Sequence, residues 1–351
     1  MRLAITSLYL PSGSKIGVGY QVHHFASQMV GRGHEVVVFS QSAASEDATY
    51  TVEQIPPRKS LRTFGFAWDL RGVNFSGFDV LHAHGDDWFL WGKRRPRHVH
   101  TFHGSCLAEC LHAQGWKARL RMGMLAVCET NALGLCDEAV AVSENTRRYI
   151  PWVKRVIPNG VDTASFFPGE RKSPIPSVLF VGTLHGRKRG RALVEVFQRE
   201  VRAKVPEAEL WMVCEEPVRA PGVRWLGKMA TPDLAERYRE AWAFCLPSSY
   251  EGFGVPYIEA MASGTAVVAT PNAGALEVTA CGRFGLVSAL RELGQALVRV
   301  LLDGRLRSAL EGHGLERAKD FQWDRICQSY ERLYGMEPAR AGRVAIQGEG
   351  T

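Results

Sequence analysis

The chain has 351 residues, a length that is long for one domain and typical of two. Hydrophobic residues make up 46% and charged residues 23%, as in soluble globular proteins, and no apolar stretch is long enough to span a bilayer. The 43 Lys and Arg give a net charge of +7 against 36 Asp and Glu, but no aromatic residues interleave with them, which disfavours nucleic-acid binding.

Short apolar runs alternate with helical patterns through the first half of the chain. The predicted strands there are Leu3–Leu8, Glu35–Ser40, Val80–His84, Val99–His103 and Ala139–Ser143. A helix is predicted over Tyr20–Gly31, where apolar residues recur with the helical period. The rhythm restarts in the second half, with strands at Ser177–Gly182, Glu209–Cys214, Val223–Leu226, Ala243–Leu246 and Thr265–Ala269. This alternation predicts parallel, doubly wound α/β sheets.

The two series of strands are separated by loop-forming residues at Pro168–Pro176. We therefore predict two Rossmann-like domains that face each other across a cleft, residues 1–168 and residues 169–320. Residues 321–336 are predicted as a last helix. Residues 337–351 lack apolar periodicity and are predicted to form a mobile tail.

The most informative segment is Ser249–Gly264, in which seven residues separate Glu251 from Glu259. A glycine-rich turn leads there into a helix predicted over Val255–Ser263, with Pro256 in its first turn. The free N–H groups and the positive end of such a helix form an anion site. Two carboxylates that face the same cleft beside an anion site suit a nucleotide sugar, whereas a solvated helix with one exposed Glu is the simpler alternative.

This segment resembles the E-x7-E motif of the retaining, GT-B-type glycosyltransferases of family 4, and Ala260–Thr270 continues as that family does. The resemblance extends to about Tyr334. It implies a GT-B fold, in which the closing helix near Trp323–Tyr330 crosses back to the first domain. It also implies that Glu251 contacts the donor sugar and that Glu259 holds the ribose hydroxyls. The phosphates would meet the backbone N–H groups of Phe253 and Gly254, with Val255 beside them.

A basic turn opens the second domain at Val181–Gly190. It resembles the family's first strand and turn, which supplies cations to the diphosphate and offsets the charge of the leaving group. Many members carry an arginine directly after the glycine, where this chain has Thr183. We therefore predict Lys188 as the main cation, with Arg187 beside it and Arg189 as a replacement for the missing arginine. A solvated basic turn is the alternative.

Further residues of the predicted site lie in other loops. Gly17 and Gly19 fall in Lys15–Tyr20, which is too short for a full dinucleotide fingerprint but is similar to the family's glycine loop. His103 ends a predicted strand, where α/β sheets bind ligands, and resembles the family histidine that contacts the transferred sugar. Gly227 lies in a loop that resembles the one beside the nucleotide base.

The resemblance predicts a retaining glycosyltransferase with His103, Glu251 and Lys188 as catalytic residues. It would move a sugar from a nucleoside-diphosphate sugar to the hydroxyl of a glycan, a lipid or a small metabolite. An epimerase or hydrolase of the same fold, or a non-catalytic binding protein, are the alternatives. No cofactor and no essential metal are expected, because Asp86 and Asp87 are adjacent rather than spaced and the eight cysteines complete no zinc pattern. The sequence leaves the oligomeric state open.

Two clusters, Lys93–His98 and Trp116–Leu125, carry much of the excess positive charge. The second alternates basic and bulky apolar residues, which predicts either contact with an anionic membrane or a basic surface without a partner. No apolar region followed by a cleavage site is found after Met1, so a cytoplasmic location is expected. Peripheral contact with the inner face of the membrane stays open.

Overall fold

The structure is a computed structural model that describes residues 1–11, 17–58, 61–113 and 115–335. It contains two parallel β-sheets, each in its own α/β unit, as the alternation of the sequence predicts. The predicted tail at 337–351, and Lys15 and Ile16 of the glycine loop, lie outside the described residues. The predicted boundary at residue 168 falls in the segment that joins the two sheets, between 156 and 177.

The first sheet has seven strands in the order β3-β2-β1-β4-β5-β6-β7. They are β1 (Arg2–Thr6), β2 (Glu35–Ser40), β3 (Thr51–Gln54), β4 (Val80–Ala83), β5 (Arg97–Phe102), β6 (Glu138–Ala141) and β7 (Arg155–Val156). The helices of this unit are α1 (Gly17–Gly31), α2 (Arg62–Asp69), α3 (Cys106–His112), α4 (Trp116–Leu133) and α5 (Glu144–Tyr149). The strand order reverses between β1 and β4, which is where open sheets of this kind bind ligands.

The second sheet has six strands in the order β10-β9-β8-β11-β12-β13. They are β8 (Ser177–Val181), β9 (Glu209–Val213), β10 (Val223–Trp225), β11 (Ala243–Leu246), β12 (Ala266–Ala269) and β13 (Leu286–Val287). The helices are α6 (Gly190–Val196), α7 (Thr231–Glu240), α8 (Val255–Ala262), α9 (Ala273–Val278), α10 (Leu293–Leu302) and α11 (Gly304–Ala318). Here the order reverses between β8 and β11, which again marks a ligand-binding edge.

The last helix, α12 (Trp323–Leu333), packs on the first unit rather than the second. Its Tyr330 ring lies 5.0 Å from the Phe25 ring of α1, and its hydroxyl is 2.9 Å from Thr101 Oγ1 of β5. Just beyond the helix, the Tyr334 hydroxyl is 2.6 Å from His82 Nδ1 of β4. The return of the chain end to the first domain is therefore confirmed, and His82 is a buried partner of this contact.

One boundary differs from the sequence prediction at the start of the first helix. The helix α1 begins at Gly17, so Gly17 and Gly19 lie in its first turn rather than in a loop before it. The reason is close packing: a Cβ atom at Gly19 would lie 2.9 Å from the carbonyl oxygen of Tyr9. Glycine at this position lets the helix begin against the loop that leaves β1.

Candidate active site

A cleft with a volume of about 620 Å³ lies between the two units. Loops after β1 and β5 form one wall, and loops after β8, β9 and β11 form the other. Ten of the predicted site residues line it: Gly17, His103, Thr183, Arg187, Lys188, Gly227, Glu251, Phe253, Gly254 and Val255. The topology brings them together because both sheets present the carboxyl ends of their strands to the same space.

The start of α8 is built around two glycines. Gly254 has a φ of +100°, and a Cβ atom there would lie 2.5 Å from the Tyr257 ring, so glycine is required. Gly274 of α9 approaches so closely that a Cβ atom would lie 2.5 Å from the Phe253 carbonyl oxygen. Pro256 occupies the first turn of α8, which spans Val255–Ala262. The Tyr257 N–H donates a hydrogen bond of 3.0 Å to the Gly254 carbonyl. The N–H groups that can meet an anion in the cleft are therefore those of Phe253, Gly254 and Val255, at the positive end of the helix.

Lys188 and Glu251 form an ion pair inside the cleft, with Lys188 Nζ 2.7 Å from Glu251 Oε1. Ser248 Oγ donates a second hydrogen bond of 2.6 Å to the same oxygen. Glu251 is only 5% exposed, so its position is fixed by these two donors. The pair joins the turn after β8 to the loop after β11 and places a cation and a carboxylate within reach of one ligand.

Glu259 lies about one turn into α8 and lines an adjoining recess of about 210 Å³. The recess shares Gly17, Val181 and Val255 with the cleft, so one elongated ligand can occupy both. Tyr238 donates a hydrogen bond of 3.1 Å to Glu259. Burial and the nearby carboxylate raise the pKa of Tyr238 well above its usual value, which keeps its hydroxyl protonated as the donor.

The other residues of the basic turn have different contacts. The side chain of Thr183, in the position of the missing arginine, donates a hydrogen bond of 2.9 Å to the His185 carbonyl. Arg187 reaches across the cleft to Glu109 of α3, at 4.0 Å. Arg189, which immediately precedes α6, is not among the described residues that line the cleft.

His103 of the first unit lies in the wall of the cleft between the two units. Its ring stacks on the His84 ring, and its Nε2 lies 2.8 Å from His84 Nδ1. Burial lowers the pKa of His103 to about 4, so the imidazole is neutral at physiological pH and can exchange hydrogen bonds with a hydroxyl. A direct contact also joins the two units, because Ser143 Oγ of the first unit donates a hydrogen bond of 2.8 Å to the Gly252 carbonyl of the second. This contact holds the loop that carries Glu251 against the first unit.

A second cavity, of about 310 Å³, extends from the cleft into the first unit. The two spaces share Val18, His103, Gly104 and Glu109. The side chains that line this cavity and can form hydrogen bonds include His84, Asp86 and Glu129. Gly19 of the predicted glycine loop also lines this cavity rather than the cleft. The molecule therefore offers two connected binding spaces that meet at His103.

Two family models match this chain in succession. The model described as Glycosyltransferase Family 4 matches residues 16–165, and the model described as Glycosyl transferases group 1 matches residues 175–303. Together they match more than three quarters of the chain. The chain belongs to the glycosyltransferases of family 4 and group 1.

Relatives and solved structures agree with this assignment. The phosphatidyl-myo-inositol mannosyltransferase of Mycolicibacterium smegmatis is 29% identical over 301 residues, covering 77% of this chain and 74% of the relative. Sucrose-phosphate synthase from Thermosynechococcus elongatus superposes with a TM-score of 0.77 at 22% identity, covering 95% of this chain and 98% of the other. Anabaena HepE in complex with UDP-glucose gives 0.73 at 17% identity, covering 96% and 100%. The predicted GT-B fold is confirmed.

Sequence reasoning missed the acidic wall of the first-domain cavity. Asp86 lies in the loop after β4, just as His103 follows β5. This shared position after the carboxyl end of a strand could have indicated Asp86 as a site residue from the sequence. Its neighbour Asp87 has a structural role, because its carboxylate oxygens lie 2.8 Å from His98 Nε2 and 2.9 Å from His100 Nδ1. Asp86 instead faces the cavity with a φ of 64°, a strained value that favours a functional role in this glycosyltransferase.

We expect Asp86→Asn to stabilise the protein in a pH-dependent manner. Burial and the charge of Asp87 raise the pKa of Asp86 to about 7, whereas an unfolded Asp titrates near about 3.9. At a pH between these two pKa values, the folded state keeps a proton on Asp86 that the unfolded state releases. The free energy of unfolding therefore falls as pH rises from about 3.9 to about 7, and it stays at the lower value above that range. The melting temperature of Asp86→Asn should therefore exceed that of the wild type at pH 8 but not at pH 4. An equal difference at both pH values would contradict the assignment.

Proposed function

We propose that this glycosyltransferase moves a sugar from a nucleoside-diphosphate sugar to an acceptor hydroxyl with retention of anomeric configuration. The observation that carries the proposal is the convergence, in one cleft, of the α8 N-terminus, the Lys188–Glu251 pair and His103. The likeness to HepE, whose structure contains UDP-glucose, supports a nucleotide sugar as the donor class. A mannosyltransferase among the relatives is consistent with a hexose.

In this proposal the donor spans the cleft and the adjoining recess. The diphosphate lies against the N–H groups of Phe253, Gly254 and Val255, where the helix dipole favours an anion. The ribose hydroxyls reach Glu259 in the recess, and the base lies near Gly227, whose φ of +69° opens the loop after β10. The donor sugar then points toward the boundary with the first domain.

The sugar itself lies between Glu251 and His103. Glu251 accepts hydrogen bonds from its hydroxyls, and neutral His103 exchanges a hydrogen bond with another. Lys188, already in the cleft, faces the phosphate oxygen that becomes negative when the glycosidic bond breaks. A preorganised cation at that position stabilises the leaving group more in the transition state than in the ground state.

Retention follows from substitution on the front face of the sugar. The bond from the anomeric carbon to the diphosphate oxygen breaks, and the bond to the acceptor oxygen forms on the same side. The acceptor proton passes to the departing phosphate oxygen. This step is inferred from the family resemblance, and it assigns no covalent nucleophile because Glu251 is held by Lys188 and Ser248.

The acceptor occupies the first-domain cavity, which meets the cleft at His103. Its wall of Asp86, Glu109 and Glu129 offers oxygens for hydrogen bonds with hydroxyls, and the ionised carboxylates there repel an anionic group. We therefore assign a hydroxyl-rich, uncharged portion of the acceptor to this cavity.

Charge neutralisation by Lys188 and Arg187 replaces a resident metal in this proposal. Within the described ranges, no three His, Cys, Asp or Glu side chains are grouped as a metal site requires. Turnover should accordingly be unchanged after treatment with EDTA. A loss of turnover that Mg²⁺ or Mn²⁺ restores would show that a metal accompanies the diphosphate.

Glu259→Gln is expected to raise the KM for the donor by about 10- to 100-fold and to change kcat little. A carboxylate that accepts hydroxyl hydrogen bonds contributes about 1.5–3 kcal/mol, and binding through the ribose is the same in the ground and transition states. The amide keeps an oxygen for the Tyr238 hydroxyl, so folding is preserved. Initial-rate kinetics test this, with exposed Glu207→Gln as the control. An unchanged KM would remove Glu259 from the donor site.

The reaction class is tested by incubating the enzyme with the donor and candidate acceptors and following the products by NMR. Acceptor-dependent diphosphate release, with the same anomeric configuration in product and donor, is the expected result. A new nucleotide sugar without acceptor would indicate an epimerase, and a free sugar would indicate a hydrolase. An inverted glycoside would overturn the front-face mechanism.

A further inference from the structure

The helix α4 exposes a row of large apolar side chains. Trp116, Leu120, Met124 and Val127 are 71%, 59%, 51% and 64% exposed. Their spacing of four, four and three residues places them along one side of the helix, as in an amphipathic face. We call these four residues the α4 stripe. Isolated apolar side chains on a surface need no explanation, whereas an aligned row marks an interaction surface.

The stripe is not the face that holds α4 on its domain. Leu125 and Ala132, on the opposite side of the helix, are buried in the core cluster that also contains Trp88 and Phe102. The helix is therefore apolar on two sides, and only one side is covered within the described part of the chain. Packing of the domain core does not account for the stripe.

Neighbouring elements enlarge the same surface. Leu107 and Leu111 of α3 are also exposed, and α3 and α4 pack together as a hairpin. Trp91 is 53% exposed and lies beside Gly134, at the end of α4. The apolar surface therefore runs the length of α4, about 27 Å for its 18 residues.

Positive charge surrounds this surface. Residues 91–127 contain seven Lys and Arg but one acidic residue, Glu109. The helical period puts Lys117 and Arg121 on one side of the stripe and Arg119 on the other. The exposed positions of α4 are residues 116–121, 124, 127, 130 and 131, and none of these residues is acidic. An apolar row between basic flanks is complementary to an anionic lipid surface.

We propose that the α3–α4 hairpin docks this protein on an anionic lipid bilayer. Trp116, Leu120, Met124 and Val127 enter the boundary between headgroups and acyl chains, while Lys117 and Arg121 contact lipid phosphates. None of the described helices is long and apolar enough to cross a membrane, so the contact is peripheral. A second copy of the chain fits this surface less well, because two such positive faces repel each other.

The docking surface adjoins the acceptor cavity. The same hairpin supplies Cys106, Glu109, Leu125 and Glu129 to the cavity wall. On the proposed function, an acceptor carried by a lipid in the bound membrane would enter this cavity from the docked face. This last step rests on the proposed reaction, whereas the docking itself does not.

The docking is tested by sedimenting the full chain with phosphatidylcholine vesicles that contain or lack phosphatidylglycerol. Binding should require phosphatidylglycerol and weaken as salt is raised. Lys117→Gln/Arg121→Gln should reduce vesicle partitioning about 30-fold, since each basic residue near an anionic surface contributes about 1 kcal/mol. Leu120→Ser/Val127→Ser should also lose binding. Leu302→Ser, which alters an equally exposed leucine of α10 in the second domain, is the matched control and should bind as the wild type does.

Three results would overturn the docking proposal. The first is that the chain stays in the supernatant at low salt. The second is that it binds vesicles equally with and without phosphatidylglycerol. The third is that it forms a dimer that Leu120→Ser/Val127→Ser, and no other variant, dissociates. Melting temperatures of all variants verify that the fold is retained. Thermal stabilisation by nucleoside diphosphates, measured on the same samples without lipid, separates a failure of docking from a failure of the proposed donor site.

Discussion

Lys188→Met should lower kcat by about 10³-fold. Its ammonium is the cation that the cleft holds beside a buried carboxylate, 2.7 Å from Glu251. Removing one preorganised group that stabilises a developing negative charge typically costs about 10²- to 10³-fold in kcat. The variant keeps most of the apolar stem of the side chain, which packs on Gly182. It also leaves the buried Glu251 carboxylate without its cation, so its melting temperature is measured alongside kcat.

Single-turnover and steady-state rates of diphosphate formation measure this effect. Lys204→Met makes the same chemical change at an exposed position of the second domain and should leave kcat within a factor of about two. Turnover near the wild-type value in folded Lys188→Met would mean that another group stabilises the leaving diphosphate. Arg187, which lines the same cleft, would then be the residue to replace next.

Glu251→Gln should lower kcat by about 10²-fold. Glu251 is buried, and in the proposed complex it accepts hydrogen bonds from the donor sugar as the glycosidic bond breaks. The amide keeps the shape and an oxygen that can accept from Ser248, but it loses the charge that positions Lys188. Because the donor phosphates would still bind the α8 N-terminus, the KM for the donor should change less than kcat.

A double-mutant cycle separates the two roles of Glu251. If Glu251 acts only by positioning Lys188, the double variant Lys188→Met/Glu251→Gln should be no slower than Lys188→Met alone. If Glu251 also contacts the sugar, the double variant should be slower still. Wild-type kcat in folded Glu251→Gln would remove the residue from catalysis altogether.

The sheets were predictable because their strands are buried on both faces. Parallel strands such as Glu35–Ser40 and Ala243–Leu246 read as continuous apolar runs, and the structure has both with the predicted bounds. The strand Thr51–Gln54 was missed because it forms the polar, exposed edge of the first sheet. Edge strands carry little apolar signal, and their pairing depends on the neighbouring strand.

The parts of the site that lie within one local motif were visible in the sequence. The glycine turn, Pro256 and the start of α8 are all encoded between Glu251 and Glu259, and the helix was predicted to within one residue. The Lys188–Glu251 pair was not predicted, since 63 positions separate its partners. Asp86 joins the first-domain cavity through the arrangement of strand ends and the α3–α4 hairpin, which no local pattern describes.

Binding of the diphosphate of a nucleotide sugar in the cleft underlies the proposed reaction, and a thermal shift assay measures this binding. Wild type and Lys188→Met would be melted with UDP, GDP, ADP and dTDP. We expect one of these nucleotides to stabilise the wild type, by about 2.7 kcal/mol at 100 times its Kd, and to stabilise Lys188→Met much less. Stabilisation of a well-folded wild type by none of the four, or equal stabilisation of both proteins, would contradict this expectation.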